Sequence, residues 1–259
     1  MAIPIEVLPD ASAVGAHVAD IALERIAAAA AAGRDFLLGS PTGRTPKPIY
    51  AAMAERLGRE PRNLSRVTLV MMDEYLVDGP QGLQYAPSDA PWSCHRFVAD
   101  SITGVLNAAL PERYRMRSAA WYPDPKDPAA YDRRIADAGG IDLFILASGA
   151  SDGHVAFNPP GSARTSTSRV IPLSEDTRRD NLRTSPTFGT LENVPRHGVS
   201  VGIDTITRSR EAIMVVWGTG KRQTLARIKA AHGYEPDWPA TLIHECRSGR
   251  VVADADAAS

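Results

Sequence analysis

One run of residues limits the folds open to this chain more than any other. Ile141-Asp142-Leu143-Phe144-Ile145-Leu146 is short, apolar and rich in Ile, Leu and Phe, as a strand buried on both faces is. Ala147-Ser148-Gly149-Ala150-Ser151 follows and is too small and Gly-broken to continue a ladder. Asp152-Gly153-His154 comes next, then Val155-Ala156-Phe157-Asn158-Pro159-Pro160. The loop at the carboxyl end of a buried parallel strand is where open α/β sheets carry ligand chemistry. An acid and an imidazole two residues apart there can move a proton near neutral pH. The same triplet also reads as a polar turn capped by Asp152, with His154 a bystander. The rest of the chain decides between the two readings.

Two strand–loop–helix junctions bear on that choice. Phe36-Leu37-Leu38 reads as a strand, residues 39–46 as a loop and residues 47–57 as a helix, with Pro46 suited to its first position. Backbone N–H groups and the helix dipole at such a junction attract an anion. Thr42 and Thr45 add hydroxyl donors beside Gly43, and Arg44 adds a charge. The loop is not a Walker A motif, because it has no Gly-Lys-Ser/Thr. The second junction is the strand Ala212-Ile213-Met214-Val215-Val216-Trp217, then Gly218-Thr219-Gly220-Lys221 and a helix to about residue 231. The dipole disfavours a lysine at a helix start, and a bound anion would explain Lys221. Arg178, Arg179 and Arg183 fall on a short helix capped by Ser174 or Asp176. Such a cluster is usually solvated, yet one arginine turned inward pairs well with phosphate.

Val67-Thr68-Leu69-Val70-Met71-Met72 reads as a strand that Asp73-Glu74-Tyr75 ends. Neighbouring side chains on a strand point to opposite sides, so at most one of Asp73 and Glu74 faces a given cleft. Residues 11–33 read as a helix whose inner face carries Val14, Val18, Ile21, Ala22, Ile26 and Ala29, with Gly33 as its stop. Residues 79–91 read as one long binding loop or lid. Residues 92–110 read as helical, with Phe97, Ile102, Val105 and Leu106 as core candidates, and residues 119–122 as a short strand. Asp127 caps a helix to about Gly139. Residues 169–173 read as an edge strand, since Pro172 cannot donate to a ladder. Residues 198–202 form another strand, and the tail after Asp254 reads as loose. Strands alternate with helices, so the expectation is a single α/β domain over residues 1–259, with a mainly parallel sheet and helices on both faces.

The formal net charge of -1 gives no global field toward nucleic acid or membrane. No run reaches the roughly 18 apolar residues of a membrane span, and the start lacks a signal-peptide pattern. Cys94 and Cys246 are the only cysteines. They make no disulfide framework, so a reducing, cytoplasmic setting is expected.

Taken in order, these pieces resemble one family, glucosamine-6-phosphate deaminase/isomerase, with its relative 6-phosphogluconolactonase. The resemblance rests on residues 39–46, Met72-Asp73-Glu74-Tyr75, residues 152–158, Asp176-Thr177-Arg178 with Arg183, Val201-Gly202, and residues 218–221. Phe157-Asn158 and Met72-Asp73-Glu74-Tyr75 favour the deaminase branch. The resemblance implies a Rossmann-like three-layer fold of the deaminase/phosphosugar-isomerase type. It implies a small sugar phosphate as partner, no metal or organic cofactor, no nucleic acid and no membrane, and it leaves a homo-oligomer open. It places Thr42, Gly43, Thr45, Arg183 and Lys221 at the phosphate. Arg44 stands where the family usually has a small residue, and would touch the phosphate or alter which sugar fits. His154, with Asp152, would open the pyranose, and Asp73 would carry a proton between C2 and C1. The implied activity is hydrolytic deamination with isomerisation of an amino-sugar 6-phosphate, glucosamine 6-phosphate or an epimer. In the family pattern a Glu follows Phe-Asn and supports the histidine; here Pro159 stands there. Lactone hydrolysis and sugar-phosphate binding without turnover are the alternatives.

Overall fold

The computed structural model describes residues 3–259. In chain order, β1 (Ile5–Leu8) leads to α1 (Ala11–Ala31), β2 (Phe36–Ser40) to α2 (Lys47–Arg59), and β3 (Val67–Met71) to β4 (Asp73–Gly79) and β5 (Gly82–Tyr85). A π-helical segment, Val98–Thr103, joins α3 (Cys94–Phe97) to α4 (Gly104–Ala108). Next come α5 (Pro128–Asp137), β6 (Leu143–Ala147), β7 (Arg169–Pro172), α6 (Glu175–Thr184) and β8 (His197–Ser200). The chain finishes with α7 (Ile203–Thr207), β9 (Glu211–Val216), α8 (Arg222–Ala230), β10 (Gly249–Asp254) and α9 (Ala255–Ala258).

Six strands form an all-parallel sheet in the order β1-β10-β9-β6-β2-β3. Every residue of β2, β3 and β9 is buried, because helices cover both faces. That is why these strands show continuous apolar runs rather than alternation. On one face α1 and α2 pack Val14, Val18, Ile26, Tyr50 and Met53 against the sheet. On the other, α5, α7 and α8 and the turn Pro239–Glu245 supply Tyr131, Ile206, Leu225 and Leu242. Each such side chain contributes about 1.5–3 kcal/mol relative to exposure. The inner face expected for residues 11–33 is buried throughout. Asp10 caps the helix by accepting from Ala13 N, and Gly33, at φ +65°, ends it.

From β2 the chain moves outward to β3, and from β6 it moves the other way to β9 and β10. The strand order therefore reverses between β2 and β6, which opens a crevice at their carboxyl ends. Gly39 lets the two strands approach there, since a Cβ on it would lie 2.3 Å from the Phe144 ring.

A second sheet corrects the expectation of strands alternating with helices throughout. It is antiparallel, in the order β5-β4-β8-β7. Asp73-Glu74-Tyr75 does not end a strand but begins β4, after the chain turns at Met72, whose carbonyl accepts from Val201 N. Part of the stretch 79–91 is β5, paired with β4 through a tight turn closed by Gly79 and Gly82. Residues 169–173 do supply an edge strand. Residues 119–122 contribute only a bridge from Trp121 to Val70. Val105 is exposed rather than in the core, while Ile102 and Leu106 are buried. The tail after Asp254 is not loose: Asp254 accepts from Ala257 N and starts α9. Among the described residues, no helix is long and apolar enough to cross a membrane.

Candidate active site

A cavity of about 550 Å³ opens at the carboxyl ends of β2, β6 and β9 and is walled on one side by β4. Thr42, Gly43, Arg44, Thr45, Asp73, His154, Arg183 and Lys221 all line it, and Asp152 lies directly behind His154. Asp73 and His154 thus open onto one space. A broader, more open hollow of about 740 Å³ beside Arg113, Arg115 and Arg117 holds no imidazole or thiol.

Asp73 is the first residue of β4, and the strand pleat separates it from Glu74. Asp73 turns to the cavity; Glu74 turns away and is fully buried. Glu74 accepts from Tyr75 N, Cys94 N, Ser93 Oγ, His95 N and the His95 ring. Asp73 has one hydrogen-bond partner among the described residues, the Cys94 thiol, at 3.5 Å. Burial, helped by the Glu74 charge and opposed by the thiol, pushes the Asp73 carboxyl up to about 7. A carboxyl that changes protonation near neutrality can both take and return a proton.

The His154 loop is built by special backbone. Gly153 sits at φ +68°, and a Cβ there would lie 2.5 Å from Trp238. Gly149 N donates to His154 O at 2.8 Å and closes the loop. His154 Nδ1 lies 2.6 Å from Asp152 Oδ1. Asp152 Oδ2 accepts from Thr177 Oγ1, which Ser174 Oγ orients in turn. Burial alone would raise the Asp152 carboxyl. The bonds and charge of His154, with the Thr177 hydroxyl, outweigh burial and leave it lowered. An anionic Asp152 fixes a proton on Nδ1, and Nε2 has no hydrogen-bond partner among the described residues.

The other end of the cavity is cationic. Lys221 precedes α8 and donates to Ser148 O. Burial pulls its ammonium down to about 8; Asp180 and Asp152 oppose this, and Arg44 adds to it. Arg183 pairs with Asp180 Oδ1 at 2.9 Å, its side chain mostly exposed toward the opening. Trp217 Nε1 donates to Thr45 O and pins the loop at residues 42–45. Among the described residues, none of that loop's amides donates within the protein, so the donors remain available to an anion. Of the other two arginines, Arg178 is bonded to Val194 O and Leu191 O, and Arg179 to Glu175. Neither lines the cavity.

The sequence profile of the family described as glucosamine-6-phosphate isomerases/6-phosphogluconolactonase matches residues 9–253. The chain belongs to this family. It is 32% identical over 259 residues to a glucosamine-6-phosphate deaminase of Rhodopirellula baltica, covering 99% of this chain and 95% of that one. A glucosamine-6-phosphate deaminase of Beutenbergia cavernae is 31% identical over 255 residues, covering 98% and 91%. A solved monomeric glucosamine-6-phosphate deaminase superposes with a TM-score of 0.83 at 24% identity, over 99% of each chain. A 6-phosphogluconolactonase from Trypanosoma cruzi superposes at 0.70 and 20% identity, over 100% of this chain and 97% of that one. These two structures show that the α/β fold with its helix-flanked parallel sheet is the family's fold.

The cavity is also lined by Asp180, which belongs to none of the sequence motifs. Asp180 accepts from Ala150 N, Ser151 N and Ser151 Oγ as well as from Arg183, and so ties the His154 loop to α6. It sits in an arginine-rich stretch that reads as solvated. Its spacing of three from Thr177 was the available signal, because it puts both on one helix face. Asp152, His154 and Asp180 bring ligand-type atoms within 4.8 Å of one another. The carboxylate oxygens are already engaged by protein donors, which fits a hydrogen-bonded relay better than a metal site. Pro159 brings no carboxylate, and Asp152 is the acid that holds His154.

Proposed function

We propose that this chain is a deaminating aldose–ketose isomerase of an amino-sugar 6-phosphate, glucosamine 6-phosphate or an epimer. The observation that carries the reading is Asp73, a carboxyl poised near 7, in one cavity with a carboxylate-held imidazole and a cationic end. The 31–34% identity to proteins named glucosamine-6-phosphate deaminase supports it. Thr42, Gly43, Arg44 and Thr45, with Arg183 and Lys221, hold the phosphate and anchor the sugar away from the reacting carbons. His154 Nε2 takes the proton of the anomeric hydroxyl and returns one to the ring oxygen, opening the pyranose to the aldehyde. Asp152 steadies the imidazolium formed on the way. Asp73 then removes the C2 proton as O1 gains one, giving the enolamine, and delivers a proton to C1 as the nitrogen loses one, giving the C2 imine. Water adds at C2 and ammonia leaves, so each turnover consumes one water and gives the ketose 6-phosphate. The amine loss is in this sense hydrolytic. Every step is a proton transfer or a water addition, and none calls for an organic cofactor. Two buried free thiols, Cys94 and Cys246, suit a reducing, cytoplasmic setting.

A panel of phosphorylated amino sugars and 6-phosphogluconolactone, scored for ammonia, ketose and acid, tests the proposal. Ammonia and ketose in equal amounts are expected. Lactone opening without ammonia, or tight binding with no product from any member, would overturn it. Asp73→Asn is expected to abolish exchange of the C2 proton with solvent while sugar-phosphate affinity changes less than about threefold. Undiminished exchange removes Asp73 from the mechanism.

A further inference from the structure

We propose that Glu74 and Cys94 are positioning residues that set the proton affinity of Asp73 in opposite directions, from the protein side of the cavity. Neither group is needed to touch the sugar.

The geometry starts with the turn at residues 93–95. Ser93 caps α3, accepting from His95 N at 3.1 Å. Glu74 grips the same turn from the other side, through Cys94 N at 3.1 Å, Ser93 Oγ at 3.1 Å and His95 N at 2.9 Å. His95 Nδ1 closes on Glu74 Oε2 at 2.5 Å. The His95 ring is stacked on Tyr122, with centroids 3.7 Å apart, and lies edge-on to Tyr85. The turn is therefore rigid, and it aims the Cys94 thiol back at Asp73 Oδ1. On the thiol's far side stands Thr42 Oγ1, at 3.5 Å. One turn thus serves two adjacent carboxyl groups and reaches the phosphate loop.

The two influences have opposite signs. Glu74, the next residue in the chain and buried, sets its charge beside Asp73, which favours the protonated acid. Among the described residues the thiol is the one donor to the Asp73 carboxylate, which favours the ionised form. The burial that raises Asp73 overall is common to both. Other charged and titratable groups also face Asp73. Across the cavity these are Arg44, Lys47, His154, Asp180, Arg183 and Lys221. Tyr75 lines the cavity on the same face of β4 as Asp73, and on the Glu74 side stands His95, with Tyr85 and Tyr122 around its ring. Those groups are left in place by the substitutions below.

The consequence for turnover rests on Asp73 being the proton carrier; the titration does not. In protein labelled with ¹³C at the aspartate carboxyl, the Asp73 signal is assigned by its loss in Asp73→Asn and followed against pH. Glu74→Gln is expected to lower the Asp73 midpoint by about 1 pH unit. Cys94→Ala is expected to raise it by about half a unit, and Cys94→Ser, which keeps a donor, to return it toward the wild-type value. The acid limb of C2-proton exchange should move in the same directions. A midpoint that stays put in either folded variant, or moves the same way in both, overturns the inference. If Glu74→Gln does not fold, the Cys94 pair decides, because donor loss and donor rescue are read on the same signal. Absence of exchange with every sugar phosphate would sink the functional reading, and the carboxyl titration would still decide this one.

Discussion

Lys221 is the residue at which burial and charge conflict most plainly. Its ammonium is buried at the start of α8, with Arg44 nearby, and it falls to about 8. Burial disfavours the charged form of a base, so the shift is downward. A phosphate dianion restores what burial removed, and the bound-state value rises. Binding therefore takes up a proton above about pH 8, and affinity falls as pH climbs through that value. Between the second phosphate ionisation and pH 8, both partners carry their binding charges. The dissociation constant for the sugar phosphate, measured by calorimetry, is expected to rise about tenfold per pH unit above 8 until the bound-state value is reached. Lys221→Arg should push that rise beyond the accessible range, since a guanidinium stays charged. A flat affinity from pH 7 to 9.5 in the wild type would contradict the anion site. Lys221 was readable from sequence because a lysine there conflicts with the helix dipole. Glu74, Cys94 and Asp180 were not. Cys94 reaches Asp73 from a turn about twenty residues on, and Asp180 meets Ser151 from the next helix. Cys94 carries no local spacing signal, and the one for Asp180 is its spacing of three from Thr177.

At the scale of elements, α6 shows how a cap reaches the chemistry. Ser174 Oγ accepts from Thr177 N at 3.1 Å and donates to Thr177 Oγ1 at 2.9 Å. That bond turns the Thr177 hydroxyl hydrogen toward Asp152 Oδ2, at 3.2 Å. Ser174→Ala removes the cap and the orientation together. A stability loss of about 1 kcal/mol in urea is expected, with kcat reduced severalfold and KM nearly unchanged, because of the proposed phosphate contacts only Arg183 is on α6, at the end away from the cap. A stability loss with unaltered kcat would mean that Asp152 does not depend on α6. Sequence left Ser174 and Asp176 open as caps, since both are good N-cap types. Ser174 is the cap, and Asp176 falls inside the first turn. Strands β4 and β5 were misread for a related reason. An Asp-Glu pair looks like solvent-facing punctuation, and the Gly-Pro-Gln-Gly turn at residues 79–82 looks like open loop. Both acids are in fact buried, one by a turn of donors and one by the cavity wall.

On the scale of the whole molecule, the two sheets are interleaved along the chain. β3 of the parallel sheet runs into β4 of the antiparallel one across a single residue, Met72. After β6, Val155 and Ala156 pack into the core of the parallel sheet and Phe157 into that of the second. After β8, Val201 donates back to Met72 O and returns the chain toward β9. The parallel sheet was legible because strands buried on both faces are nearly all apolar. The second sheet was not, because β4 and β7 mix exposed and buried residues over short lengths and β5 has none that is buried. The cavity needs both, with Asp73 from the second sheet and His154 and Lys221 from loops of the first. Val155 and Ala156 belong to the core of the first sheet and Phe157 to that of the second, so the sheets cannot part without pulling this segment out of one core. A single cooperative unit is the expected outcome. Native-state hydrogen exchange should find the amides of Val199 in β8 and Val215 in β9 opening with the same free energy and the same urea dependence. A separate, lower-energy opening confined to β5-β4-β8-β7 would show the second sheet to be an independent lobe, and the site would then assemble only when the lobe docks.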